Sequence, residues 1–198
     1  MTYLSIFAGR RRYLNVLMVY VHRLLDQRIV DRCHIWNYAR LAVDSEYVHT
    51  LAAKRGVEVI PMPESDKAAV FPDKWKGYYR FYAALLQPGD LLVKCDDDIV
   101  FIGNLPALLR VARSDPDGAH LIYYPSIVNN DVAASFQAAD GLITDPEYVV
   151  DLRPSVIGKR DATGNSDWPQ CTRCAEHVHE AFLASPESFF TGCMHEWR

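Results

Sequence analysis

Three consecutive carboxylates, Asp96-Asp97-Asp98, follow the apolar run Leu91-Leu92-Val93 and precede Ile99-Val100-Phe101. Desolvating like charges without compensation is costly, so carboxylates anchored between apolar segments call for a cation. Along an extended chain Asp96 and Asp98 point one way and Asp97 the other. That spacing offers two hard oxygen ligands to one cation and leaves Asp97 for a second task. Mg²⁺ or Mn²⁺ suits such a pair, because these ions take few protein carboxylates and complete their shell with phosphate oxygens and water. A solvated acidic turn leading to the helix near Asn104 is the plainer alternative, and the apolar flanks speak against it.

Other side chains of chemical interest are more dispersed. Arg10 follows Gly9, and Arg10-Arg11-Arg12 is either a solvated helix start or an anion-facing loop. Lys76 and Arg80 are four apart and share a helix face, with Lys74 just upstream. Asp131 could serve as a base or as the N-cap of Val132-Ala133-Ala134. Asp167 stands in Gly164-Asn165-Ser166-Asp167-Trp168, where the indole could stack on a flat or apolar ligand face. Cys171-x-x-Cys174 with His177 and His179 invites a zinc reading, but Cys193 and His195 would have to complete the site at irregular spacing. Ordinary buried thiols are the expectation there.

The elements that must position these groups alternate through the first half. Tyr3 to Ala8, Cys33 to Trp36, Val57 to Ile60 and Leu91 to Cys95 read as strands. Tyr13 to Gln27, a segment capped by Asp44-Ser45 and running to Arg55, and Lys74 to Leu86 read as helices, with Gly56 and Pro88-Gly89 as stops. Strands separated by helices predict an α/β fold, a three-layer sandwich around a mostly parallel sheet. In such sheets ligands gather beyond the carboxyl ends of the strands, which is where Asp96 to Asp98 fall. Further on, Leu105 to Ala112 and Thr172 to Ala184 read as helices and His120 to Tyr124 as a central strand. Residues 151–170 read as a long loop, and Phe189 to Met194 as a short apolar run.

With 198 residues, 49% of them apolar, one domain with a sizeable core is expected. A net charge of −4 gives no reason to expect nucleic acid as a partner. Leu14 to Leu25 is too short to span a bilayer and is interrupted by His22 and Arg23, so no transmembrane segment is predicted. The start lacks the pattern of a signal peptide. Five cysteines without framework spacing indicate a reducing, cytoplasmic setting. A soluble catalytic domain of a longer protein would read the same way.

Tyr78-Tyr79-Arg80-Phe81, Leu85-Leu86-Gln87-Pro88-Gly89-Asp90 and Leu91 through Phe101 together resemble the core of GT-A glycosyltransferases, where a helix leads into a strand ending in Asp-x-Asp. The Tyr-Arg helix and Leu105-Pro106-Ala107-Leu108 are similar to glycogenin-like retaining enzymes. Lys94-Cys95-Asp96-Asp97-Asp98 is as similar to the inverting β1,3-galactosyltransferase group. The resemblance implies a metal-dependent transfer of a sugar from a nucleotide-diphosphate sugar, UDP-sugars being commonest, to a glycan or other hydroxyl acceptor. It implies Asp96 and Asp98 as ligands of Mn²⁺ or Mg²⁺, with His195 returning as a third. It also implies that Phe7, Ala8, Gly9 and Asn37 grip the base and ribose, and that Arg10, Lys76 and Arg80 meet the diphosphate. Asp97 is expected to reach the ribose or a basic side chain. Inverting transfer needs a carboxylate base, for which Asp167 comes first and Asp131 second. A metal-dependent phosphohydrolase and a non-enzymatic zinc module built on Cys171, Cys174 and His177 are the rival readings.

Overall fold

The computed structural model describes residues 1–63, 76–99, 101–115 and 172–190 (side chains of the last segment from 176 to 189) and scattered positions between 120 and 143. Lys74, Asp131, Asp167, Cys171 and His195, with the loop 151–170, lie outside the described residues. The chain divides into two compact units, Met1–Pro116 and Asp117–Arg198.

The first unit is α/β. Its strands β1 (Thr2–Ala8), β2 (Arg32–Asn37), β3 (Val57–Pro61) and β4 (Leu91–Asp96) form an all-parallel sheet in the order β3-β2-β1-β4. Strand β1 is central, and its near-continuous burial from Thr2 to Ala8 reflects a strand covered on both faces. Leu4, Ile6 and Ala8 face one layer, with Cys33, Ile35 and Cys95 beside them. Helix α1 (Arg11–Asp26) packs there through Leu14, Leu17, Met18, Val21 and Leu24, an i, i+3, i+4 stripe. Each such buried side chain contributes about 1.5–3 kcal/mol. Helices α2 (Ala42–Leu51) and α4 (Leu105–Arg113) add Val48, Leu51, Leu105 and Leu109 to the same core.

The opposite face carries α3 (Lys76–Leu85). It turns Tyr78 and Tyr82, one helical turn apart, onto Trp36 and Ile60. Lys76 and Arg80 lie on the other side of that helix, in solvent. Helices thus cover both faces of the sheet, as the alternating pattern predicts.

Two expectations about element ends, and one about a strand, need correction. Helix α2 starts at Ala42 with Leu41 at its N-cap, so Asp44 lies in the first turn rather than capping it. It ends at Leu51, and Gly56 (φ +79°) serves instead in the turn leading into β3. Within the expected strand His120 to Tyr124, His120, Ile122 and Tyr123 are described and none is in a strand. Ile122 is exposed, so that short apolar run lacks the burial a central strand needs.

In the second unit the described elements are α5 (Thr172–Ala184) and a 3₁₀ turn (Pro186–Phe190), joined by an edge-to-face contact of Phe182 and Phe189. A small apolar group of Ala134, Ile143 and Val178 is buried there. Among the described residues, no helix is long and apolar enough to cross a membrane.

Candidate functional site

The strand order sets the site. From β1 the chain moves outward through β2 to β3, then returns to place β4 on the other side of β1. The direction of winding therefore reverses between β1 and β4, and the crevice beyond their carboxyl ends is where open parallel sheets bind ligands. Phe7 on β1 is level with Asp96 on β4 and with Trp36 on β2, so Gly9-Arg10 and Asp96-Asp97-Asp98 leave the sheet side by side.

Asp97 is the buried member of the triad. Its side chain is 6% exposed, against 56% for Asp96 and 51% for Asp98. One oxygen, Oδ2, accepts the backbone N–H of Gly9 at 2.7 Å and of Arg10 at 2.6 Å. The other, Oδ1, accepts Nε and Nη2 of Arg10 at 3.0 and 2.5 Å. A carboxylate fully used in this way is a lock between β1 and β4. It fulfils the expectation that Asp97 reaches a basic side chain. Arg10 also donates from Nη2 to Asp98 Oδ2 at 2.9 Å. Its guanidinium is held more firmly in the charged form, first by the bond to Asp97, against a smaller opposing effect of burial.

The extended-chain premise ends at Asp96. Strand β4 stops there, and Asp97-Asp98 form a turn closed by Ile99 N–H on the Asp96 carbonyl at 3.3 Å. Asp96 instead faces the α3 side, where Lys94 Nζ donates to its Oδ1 at 2.9 Å and sits 4.8 Å from the centre of the Phe7 ring. Lys94 was legible as a neighbour of Asp96, since residues two apart in a strand share a face.

The start of α1 is capped from elsewhere in the sequence. Arg10 occupies the N-cap position and makes no capping bond with its own side chain. Of the N–H groups at this end, that of Arg10 goes to Asp97, as above, and that of Arg11 to Asp44, whose Oδ1 accepts it at 3.0 Å. Negative charge at this helix end is favourable. It also means that carboxylates already hold the Arg10 and Arg11 amides, two of those a phosphate would use at this helix N-terminus. A cavity of about 450 Å³ beside it is lined by Arg10, Arg11, Arg12, Asn15 and Asp44.

The remaining expected residues fall as follows. Phe7 contacts Tyr78 and Tyr38 edge to face or tilted, with ring centroids 4.7 and 5.0 Å away. Ala8 is buried. Gly9 passes close to its neighbours, and a Cβ there would meet the Tyr38 carbonyl at 3.4 Å and Asp97 Oδ2 at 3.5 Å. Asn37 secures the β2–α2 loop, donating to Ser45 Oγ at 2.8 Å and accepting Ala39 N–H at 3.2 Å. Burial pushes the Tyr78 hydroxyl up to about 12, so it stays protonated at neutral pH. Burial likewise pushes the Cys95 thiol up to about 12, which leaves it a poor nucleophile or ligand.

Among the described residues, no three His, Cys, Asp or Glu side chains group closely enough to hold a metal ion. The exposed carboxylates of the triad are Asp96 and Asp98. They are hard oxygen donors, and each already holds a cationic nitrogen at 2.9 Å. That donor chemistry fits Mg²⁺ or Mn²⁺ completed by water and phosphate oxygens. Comparison of the chain with known protein families, with curated proteins and with solved structures gave no match.

Proposed function

We propose that this chain is a metal-dependent glycosyltransferase of GT-A-like fold, which takes a nucleotide-diphosphate sugar, a UDP-sugar foremost, and a glycan or other hydroxyl acceptor. The observation that carries the reading is the pair of exposed carboxylates Asp96 and Asp98, set on a buried, fully bonded Asp97 at the switch point of a parallel sheet. The resemblance over Tyr78 to Phe101 supplies the step from cation to sugar transfer.

When bound, Mn²⁺ or Mg²⁺ supplies charge neutralisation for the departing nucleoside diphosphate. Asp96 and Asp98 hold it, and His195 is proposed as a further ligand. Asp97 fixes Arg10 beside the diphosphate, while Lys76 and Arg80, on the solvent side of α3, add positive charge only at a distance. Phe7 and Gly9 line the base and ribose, with Asn37 at the rim and Ala8 buried behind them in the core. Asp167, with Asp131 as second choice, takes the acceptor proton in an inverting transfer.

The reading is tested by following release of nucleoside diphosphate from a panel of nucleotide sugars, with oligosaccharide acceptors, with and without Mn²⁺. Release that requires metal and acceptor is expected. Acceptor-independent phosphate release from simple esters would point to a phosphohydrolase. Stoichiometric zinc that survives dialysis, with no nucleotide turnover, would point to the Cys171, Cys174 and His177 module.

A further inference from the structure

We propose that Lys94 and Arg10 are exchangeable counter-ions, which hold Asp96 and Asp98 in the unloaded protein. On this proposal they release the carboxylates to a divalent cation and pass to the oxygens of the diphosphate that arrives with it. This inference rests on the metal-dependent reading of Asp96 and Asp98.

The geometry separates what must stay from what can move. Arg10 is fixed by its backbone N–H and Nε, both bonded to Asp97, while only Nη2 reaches Asp98. Nη2 is shared, because it also donates to Asp97 Oδ1, so a rotation of the guanidinium that frees Asp98 loosens that one bond and leaves the backbone N–H bonds of Gly9 and Arg10 to Asp97 in place. Its side chain is half exposed, so the rotation meets solvent rather than core. Lys94 holds Asp96 by one bond from a flexible, half-exposed stem. Its ammonium lies over Phe7, on the segment proposed to grip the nucleotide. Lys94 can therefore leave Asp96 without touching the lock between β1 and β4, and Arg10 can leave Asp98 while the two backbone N–H bonds to Asp97 keep that lock closed.

Charge decides the order of events. Three carboxylates face two resident cations, so the local charge is one negative unit. A divalent cation alone would displace two cations from their partners and turn the site positive. A divalent cation with a diphosphate gives both displaced groups new anionic partners. Metal and diphosphate should thus bind with positive coupling, and by linkage each should tighten the other equally.

The test is Mn²⁺ binding followed by electron paramagnetic resonance on the whole chain, with Mn²⁺ alone and with saturating UDP. Lys94→Met keeps the stem over Phe7 and removes the charge. Arg10→Gln removes the group that spans Asp97 and Asp98, and Arg10→Lys retains the charge without the span. Lys94→Met and Arg10→Gln are expected to bind Mn²⁺ alone about tenfold more tightly than the unmodified protein, from the Coulomb effect of one removed charge near the site. Their gain from UDP is expected to shrink, and Arg10→Lys to fall between. If Arg10→Gln fails to fold by circular dichroism, Lys94→Met decides alone. Unchanged or weaker Mn²⁺ binding by folded Lys94→Met would overturn the exchange while leaving the metal reading intact. Absence of Mn²⁺ binding by the unmodified protein, with and without UDP, would overturn the metal reading itself.

Discussion

Arg10 and Asp97 meet through three donor contacts across 87 residues of chain, one from the Arg10 backbone N–H and two from its guanidinium, and the Gly9 N–H adds a fourth to the same carboxylate. Both oxygens of one buried carboxylate are used, and the ends of β1 and β4 are fixed together. The lock leaves the flanking Asp96 and Asp98 exposed at a defined place instead of in a loose acidic loop.

Asp97→Asn replaces one accepting oxygen with an NH₂ group that faces donors. The loss is expected to be about 3 kcal/mol, because buried donors are left unpaired and a charge-assisted pair is broken. Urea unfolding checks it through a lower midpoint at unchanged slope. A change below about 1 kcal/mol would mean that Asp97 is not the lock.

Asp44→Ala removes the carboxylate that accepts Arg11 N–H. A loss of about 1 kcal/mol is expected, the ordinary cost of an N-cap. Native-state hydrogen exchange locates it: the first turn of α1 should lose protection, and α2 should not. Fraying confined to α2 would return Asp44 to the local capping role its position in the sequence suggested.

His34 makes stability depend on pH. It is buried, and its Nδ1 lies 3.0 Å from the Tyr82 hydroxyl, which also accepts Trp36 Nε1–H at 3.3 Å. Burial lowers its pKa, with Glu58 opposing and Arg32 assisting. The unfolded chain therefore takes up this proton first, at an ordinary pKa of about 6.5. Stability is complete above that pH and falls as pH drops below it, by at most about 1.4 kcal/mol per pH unit. Denaturation from pH 8 to 5 should show the loss, and His34→Gln should flatten it. Equal slopes in the two proteins would remove His34 from this role.

Much of this architecture was legible in the chain. The described strands and helices up to Arg113 follow in outline from apolar periodicity, and β4 with its acidic end follows from Leu91-Leu92-Val93 running into three aspartates. What escaped was non-local. Nothing near Arg10 or Asp44 in sequence announces that carboxylates 87 and 33 residues away cap the start of α1. The division of labour within the triad was half legible: alternation singled out Asp97, but the turn at Asp97-Asp98 ends the extended chain on which the shared direction of Asp96 and Asp98 depended. His120 to Tyr124 misled because a short apolar run does not reveal its burial.

The end of α1 shows the same limit at one residue. Arg28 takes φ 56°, the left-handed region, while Ile29 N–H bonds the Leu24 carbonyl at 2.9 Å and Arg28 N–H the Leu25 carbonyl at 3.0 Å. This Schellman arrangement favours glycine. Arg28→Gly is expected to stabilise the protein by about 1 kcal/mol, the relief of left-handed strain. A higher melting temperature checks it, and a lower one would contradict this account of the helix end.

The central claim, that Asp96 and Asp98 hold a divalent cation against a diphosphate, is tested most directly by calorimetry. UDP, GDP and dTDP are titrated into the protein with and without Mn²⁺, and again into Asp98→Ala. At least one diphosphate is expected to bind roughly tenfold or more tightly with Mn²⁺, in line with ordinary coupling energies, and Asp98→Ala should abolish that gain. Binding that is unchanged by Mn²⁺, or unchanged by Asp98→Ala, would contradict it.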